Sequence, residues 1–382
     1  MLMMVLLPAM LAFGCAWWLT NCLSSSKSFL SILDHPNERA LHSMPTPRTG
    51  GLAIIASVVI GLLAAASILE MTQPTRTLLP KGVASGSVWI VGSMLLVFVV
   101  SFTDDCIGLP ASLRLGVQTA SACIIIGGVG LTLSSIPIPG EHVIELGLAA
   151  APVSALFLIW MANLYNFMDG MDGFAGGMTV CGFGFLAYFG WEEGSPVMLM
   201  IASFVAISAL GFLIHNFPPA RIFMGDAGSI TVGFLGGTLM LLGIRDEIFD
   251  VWVPIIVFSP FIADATVTLI RRALRGEKVW EAHREHYYQR LVLSGWGHRR
   301  TVLVQYGVMM LCGGLAVLYQ HATDNWRLVI LGTWVVMFLF LGGVVNRLER
   351  RKDRSPGPVP IASSGEKYVQ GCATTKYSKS DR

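Results

Sequence analysis

Acidic and amide side chains recur in this chain at the edges of apolar runs, in patterns suited to holding a cation or a phosphate. Asp104-Asp105 closes one such run, just before Gly108 and Pro110. A carboxylate pair at a helix C-terminus opposes the macrodipole. Beside a bilayer it is costly unless it binds a cation or a positive partner, and capping does not account for both acids. Asn163, Asn166, Asp169 and Asp172 follow at every third position. Each step of three turns a helix by roughly 300°, so Asn163, Asn166 and Asp169 share a face within about 120°. Gly170 and Gly173 loosen the backbone and allow Asp172 to swing to that same side. Oxygens so arranged suit Mg²⁺, or the edge of a base and its ribose.

Three further stretches carry complementary chemistry. Arg221-Ile-Phe223-Met-Gly225-Asp226-Ala-Gly228-Ser229 opens an apolar helix. Asp226, Gly228 and Ser229 read either as an ordinary N-cap or as part of a phosphate site at a helix N-terminus, with Phe223 placed to stack on a base. The first polar loop holds Arg39, His42 and Arg48 between stiffening prolines and Gly50-Gly51. These cations could meet an anionic head group or simply decorate the basic side of a membrane. The loop at 271–300 is the most basic. There His283, His286, Tyr287 and Arg290 follow i, i+3, i+4, i+7 and are expected on one helix face. Val279, Trp280, Tyr287 and Leu291 add a stripe suited to the membrane interface. His and Arg so placed can clamp a diphosphate. Zinc is rejected, because its His pairs usually sit at i, i+4 and no Cys is near. Asp264 is expected to pair with a cation of this loop.

The elements that must position these residues are membrane helices. Hydrophobic residues make up 54% of the chain and charged residues 13%, against about 25% charged in a soluble domain. About eleven apolar segments of roughly 17–22 residues are long enough to cross a bilayer. They fall near 2–22, 51–70, 87–103, 114–135, 148–166, 174–190, 196–215, 227–244, 250–270, 301–320 and 326–346. Threaded alternately, they place all of the 26 Lys and Arg residues except Arg76, Lys81, Arg245 and Arg327 on one side. By the positive-inside rule that side is cytoplasmic, which puts the N-terminus in the periplasm and the C-terminus in the cytoplasm. Every acidic stretch above lies at the cytoplasmic end of a helix. The expectation is an all-α polytopic protein with one membrane domain over 1–346 and a polar, disordered cytoplasmic tail over 347–382.

Several function classes are excluded or disfavoured. A net charge of only +2 gives no reason to expect a nucleic-acid partner. The seven Cys form no CxxC and read as small core residues. Met1 to Leu19 lacks a basic n-region and reads as a retained first helix. No internal repeat is visible and the acids avoid the bilayer midplane, which disfavours a transporter. The residues at 136–147 suggest a short hairpin on the opposite side.

At these five stretches, in this order and over residues 30–300, the chain resembles the polyprenyl-phosphate N-acetylhexosamine-1-phosphate transferases (glycosyltransferase family 4). The resemblance implies Mg²⁺-dependent transfer of a sugar 1-phosphate from a UDP-N-acetylhexosamine to undecaprenyl phosphate, releasing UMP, with Mn²⁺ as a possible substitute. It implies a bacterial inner-membrane enzyme acting on the cytoplasmic face, early in O-antigen, common-antigen or teichoic-acid synthesis, and a possible homodimer. Carried over by position, Asp226 corresponds to the metal ligand, helped by Asn166, and Asp104 and Asp105 to the pair assigned to the lipid phosphate. Asn163, Asp169 and Asp172 correspond to nucleotide-sugar contacts and Phe223 to the ring under uracil. Arg48, Arg284 and His286 are further substrate contacts. His283, a catalytic candidate, matches the first His of the family's His-rich loop, but Arg284-Glu285-His286 departs from the three-His run of the peptidoglycan branch. That departure disfavours the alternative reading as a phospho-N-acetylmuramoyl-pentapeptide transferase.

Overall fold

A computed structural model describes residues 2–25, 30, 32–36, 41, 44–72, 81–140, 142–278 and 283–354. The tail from 355, together with Arg39, His42, Val279 and Trp280, lies outside the described residues. The chain is an all-α, multi-pass membrane protein. Its helices are α1 (Leu2–Leu23), α2 (Gly50–Thr72), α3 (Lys81–Ile107), α4 (Ala111–Val129), α5 (Ala150–Met168), α6 (Phe174–Glu192), α7 (Pro196–Asn216), α8 (Gly225–Arg245), α9 (Trp252–Val257), α10 (Ser259–Leu274), α11 (Tyr287–Leu291), α12 (Gly297–Gln320) and α13 (Asp324–Arg354). Two small antiparallel ribbons complete the described elements: β1 (Leu33–Asp34) with β2 (Thr46–Pro47), and β3 (Ser135–Ile138) with β4 (His142–Glu145). The second is the hairpin expected at 136–147. Trp252 pins it by donating its indole N–H to the Pro137 carbonyl at 2.6 Å.

Ten helical spans among the described residues are long and apolar enough to cross a membrane. The ninth expected span, 250–270, is not one continuous helix. It breaks at Phe258 into α9 and α10, where Pro260 follows and cannot donate a helical N–H. The fourth span ends at Val129 rather than 135. Gly130 takes a left-handed conformation (φ 74°) and caps α4. Leu131 and Leu133 are buried by packing rather than by helix continuation. Helix α3, by contrast, runs past 103, so Asp104 and Asp105 occupy its last turn.

Helix α8 is the central pillar and is almost wholly buried. It packs against α5, α3 and α2, while α6 and α7 pack on each other and α7 packs on α1. Its N-terminal end is reached by the backbone of the first loop. Phe223 donates its N–H to the Pro47 carbonyl (2.7 Å). Gly50 and Gly51 donate theirs to the Phe223 and Met224 carbonyls (2.9 and 2.8 Å). This stitching brings α2 so close to α8 that a Cβ on Gly51 would lie 2.2 Å from the Gly228 Cα. Backbone cannot yield as a side chain can. Gly51→Ala is therefore expected to destabilise the protein by about 1–3 kcal/mol, read as a lower thermal midpoint of the purified protein in detergent. An unchanged midpoint would contradict the close crossing.

Candidate active site

The end of α8 explains why two adjacent acids can sit at the end of α3. An α-helix leaves its first N–H groups without internal partners. Here Asp105 supplies them from another helix: Oδ1 accepts from Asp226 N–H at 3.2 Å and Oδ2 from Ala227 N–H at 2.9 Å. The sequence pattern set the acidic pair against its own helix dipole, whereas the structure has Asp105 facing the favourable pole of a different helix. Asp226 is accordingly not the N-cap that its position also suggested. Arg48 steadies Asp105, donating through Nη2 to its backbone carbonyl at 2.7 Å, with Nε 3.6 Å from Oδ1. Gly225, at φ 73°, makes the turn into α8, and a Cβ there would meet the Arg48 carbonyl oxygen at 2.1 Å.

Asp104 and Asp226 share one cation. Arg114 Nη1 lies 2.7 Å from Asp104 Oδ2 and 3.3 Å from Asp226 Oδ2. Asp104 Oδ1 also accepts from Leu109 N–H at 2.6 Å. Asp226 Oδ1 accepts from Asn166 Nδ2 at 2.8 Å, and the same nitrogen is 3.2 Å from Ser229 Oγ. Asp169, just past the end of α5, faces this group. Burial and the nearby carboxylates of Asp226 and Asp105 hold its own carboxyl well above the usual range. Four carboxylates thus converge with two arginines, Arg48 and Arg114. Arg114 escaped the sequence reading because one Arg beside an apolar run looks like ordinary positive-inside charge; only its ten-residue spacing from Asp104 hinted at a pair.

Other expected site residues lie elsewhere. Asn163 is one turn deeper along α5 and donates to Gln118 Oε1 at 2.6 Å and to the Ile159 carbonyl at 2.8 Å. Asp172 does not swing to the side of Asn166 and Asp169. Gly173, at φ 74°, opens α6 and turns Asp172 towards the 218–220 segment. There its Oδ2 accepts from Ala220 N–H at 3.0 Å and its Oδ1 lies 3.1 Å from His298 Nδ1. Asp172, Phe223, Met44, Pro219, His298 and Arg299 line a cavity of about 450 Å³. His298 and Arg299 were not singled out by sequence, since they follow a Gly-Trp-Gly break with no local pattern of acids.

The basic loop also differs from expectation. His283, His286, Tyr287 and Arg290 do not share a helix face, because α11 begins only at Tyr287, with His286 as its extended N-cap residue. His283 and His286 nevertheless meet, with ring centroids 4.7 Å apart and the planes tilted by 38°. Asp264 finds its partner here, though not among the loop arginines. It lies 3.2 Å from His286 Nδ1 and accepts the N–H groups of Tyr287 and Tyr288 at 2.8 and 3.0 Å. Tyr288 in turn donates its hydroxyl to the Phe167 carbonyl at 3.2 Å, tying the loop to the end of α5. Arg284 lines a separate basic hollow with Arg271 and Arg290, away from the aspartates.

The donor set fits a hard divalent cation in charge and type. Among the described residues no three His, Cys, Asp or Glu side chains stand in a ready-made coordinating arrangement. A Mg²⁺ ion held here would take one or two of the carboxylates and complete its shell with water and substrate phosphate.

Comparison with known proteins follows the same residues. The sequence profile of Glycosyl transferase family 4 matches residues 87–244, from α3 to the end of α8. The chain is 32% identical over 323 residues to a "Probable undecaprenyl-phosphate N-acetylglucosaminyl 1-phosphate transferase" of Bacillus subtilis (strain 168), covering 83% of this chain and 86% of that one. It is 30% identical to a "Decaprenyl-phosphate N-acetylglucosaminephosphotransferase" of Mycobacterium tuberculosis (strain ATCC 25618 / H37Rv), covering 81% of each. It is 28% identical to a "Phospho-N-acetylmuramoyl-pentapeptide-transferase" of Synechococcus sp. (strain JA-3-3Ab), covering 72% of this chain and 79% of the relative. Fold and site together define a membrane-embedded transferase. The chain belongs to glycosyl transferase family 4, the polyprenyl-phosphate N-acetylhexosamine-1-phosphate transferases, and is an enzyme of the phosphotransferase class.

Two predictions separate positioning from chemistry. Asp105→Ala should cost about 1–3 kcal/mol through the orphaned N–H groups of α8, visible as a lower thermal midpoint without any substrate. Asp226→Asn should leave that midpoint unchanged or raise it, because it keeps the Asn166 contact and removes one of four crowded charges. The reverse pattern would overturn the assignment.

A third prediction concerns His283. Burial, then the neighbouring His286 and Arg272, pushes its imidazole down to about 4, so it is neutral at pH 7. The unfolded chain binds a proton there near 6.5 while the folded chain does not. Its stabilising contribution is full above pH 6.5 and is lost as pH falls towards 4. In thermal melts across that window, His283→Gln should flatten the slope relative to the parent. Identical slopes would place His283 in water.

Proposed function

We propose that this protein transfers N-acetylhexosamine 1-phosphate from a UDP-sugar to undecaprenyl phosphate, releasing UMP, on the cytoplasmic face of a bacterial inner membrane. The observation that carries the reading is the convergence of Asp104, Asp105, Asp169 and Asp226 with Arg48 and Arg114 at one end of the α3, α5 and α8 bundle. Both substrates are anions, so the site must neutralise charge before it can align them. Asp226, with Asp169 and the neighbouring Asn166, would hold Mg²⁺. The bound ion would supply charge neutralisation for the diphosphate and for the leaving phosphate. The relatives named for N-acetylglucosamine transfer cover more of this chain at higher identity than the muramoyl-pentapeptide relative, which favours N-acetylglucosamine as the first donor to test.

The chain's own residues then have distinct tasks. Arg114, held between Asp104 and Asp226, is placed to exchange a carboxylate partner for a phosphate oxygen. Asp105 and Arg48 keep the N-terminus of α8 fixed while charge moves beside it. Phe223 lines the cavity of about 450 Å³ and offers a ring face for uracil. A phosphate monoester has its second pKa at about 6, so the lipid phosphate is already a competent nucleophile and Asp104 need not be a strong base. An oxygen of the lipid phosphate forms the new bond to the β-phosphorus. The bond from that phosphorus to the bridging oxygen breaks, and UMP leaves with the electron pair. This single in-line displacement forms no phospho-aspartyl enzyme.

The test is UMP release by the purified protein with Mg²⁺, undecaprenyl phosphate and a panel of UDP-N-acetylhexosamines. Release should require both lipid and metal, should stop with EDTA, and should fall to background in the folded Asp226→Asn variant. Full activity of that variant would refute the metal assignment. Release only from UDP-N-acetylmuramoyl-pentapeptide would move the protein to the peptidoglycan branch.

A further inference from the structure

Two cavities lie beside each other at the basic end of α13. The first, about 490 Å³, lies between α10, α12 and α13 and is mostly apolar, with Val267, Leu291, Val308, Trp334 and Phe338 in its wall and Asp264, Gln305 and Asn346 as its polar lining. The second, about 400 Å³, is lined by Arg271, Arg275, Arg284, Arg290 and Lys352, with Glu285 and Glu349. Asn346 lines the apolar cavity and Glu349 the basic one. They are three residues apart on α13, about 4.5 Å along the axis. Along α13 the apolar lining starts at Trp334 and the charged lining ends at Lys352. The apolar cavity therefore reaches into the bilayer from a charged pocket at its surface.

Ordinary interfacial charge is solvated and mobile, but this pocket is built. Arg290 is only 8% exposed. Its Nη2 donates to Asn346 Oδ1 at 2.6 Å and to Glu349, and its guanidinium sits 4.9 Å above the Tyr287 ring. Arg271 lies over the same ring at 5.8 Å. The Nη1 of Arg290 is buried with no hydrogen-bond partner among the described residues, a costly state for a charged donor. Five cations against two carboxylates leave the pocket formally at plus three.

We propose that these two cavities form one binding site for an anionic glycerophospholipid of the basic-side leaflet, its phosphate among Arg271, Arg290 and Lys352 and an acyl chain in the groove of α10, α12 and α13. A free phosphate has no use for the apolar cavity, and a zwitterionic lipid does not answer the charge. None of Asp104, Asp169, Asp226 or Arg114 lines either cavity, so the site is separate from that of the reacting lipid phosphate. Its occupancy bears on the active site through α11. Tyr287 and Arg290 belong to that helix, and its Tyr288 bonds to Phe167 beside the Asn166–Asp169 segment.

The full-length protein in neutral detergent would be titrated with phosphatidylglycerol, phosphatidylcholine, inorganic phosphate or undecaprenyl phosphate. Bound lipid would be read by native mass spectrometry and stabilisation by thermal shift. Phosphatidylglycerol should be retained and should raise the thermal midpoint, while phosphatidylcholine and inorganic phosphate should do neither. The double variant Arg271→Gln, Lys352→Gln should bind it roughly tenfold more weakly, the scale of losing a hydrogen bond to a charged group. Gly343→Leu tests the tail. A Cβ there meets nothing within 4 Å and Gly343 lines the groove, so the variant should fold and still lose the lipid. Equal retention of phosphatidylcholine, stabilisation by inorganic phosphate alone, retention of undecaprenyl phosphate only, or undiminished binding in both variants would each overturn the proposal.

Discussion

The carboxylate of Asp105 on the first N–H groups of α8 is the contact on which the rest of the site depends. A helix end inside a membrane protein has little water to satisfy it, so the partner must come from the chain. Taking that partner from α3 fixes the two helices against each other at their basic-side ends. It also fixes the turn at Gly225, where Arg48 leaves no room for a side chain. Asp226 is the second residue of the helix so held, and its orientation follows from the cap.

This division of labour settles how four acids can coexist. Asp105 is neutralised by a helix dipole and by Arg48, and Asp104 by Leu109 N–H and Arg114. Asp226 and Asp169 are left with less: one amide and a shared arginine for the first, and the Gly225 N–H amid crowding carboxylates for the second. The under-compensated acids lie together, flanked by the well-compensated ones. A cluster of this kind costs stability in the resting protein and is suited to binding positive charge or to exchanging partners with a phosphate.

The same device recurs in the C-terminal half. Asp264 on α10 accepts the first N–H groups of α11, as Asp105 does for α8. Asp172 accepts the Ala220 N–H, and Asn216 joins Gly173 N–H to the Ile222 carbonyl at 2.9 and 2.8 Å. These buried carboxylates and this amide are occupied with the ends of neighbouring segments, whereas buried Ser93, Thr179 and Thr238 bond carbonyls of their own helices. The carboxylates and the amide set the angles at which short polar loops leave an otherwise apolar bundle.

The sequence alone determined the class of fold and marked five stretches as candidates for the chemistry. Apolar segment length and the one-sided distribution of Lys and Arg are local, additive signals that survive without knowledge of packing. Asp104, Asp105, Asn166, Asp169 and Asp226 were legible because acids and amides at membrane-helix ends are costly wherever they sit. Which of them cap and which stay open was not legible, since a cap on α8 supplied from α3 is 121 residues distant in the chain. Arg114 and His298 were missed for the same reason: each takes its meaning from a partner on another segment. The turn of Asp172 away from Asn166 and the late start of α11 were decided by tertiary packing. There, backbone N–H groups competing for a few carboxylates outweighed the helical periodicity read along a single segment.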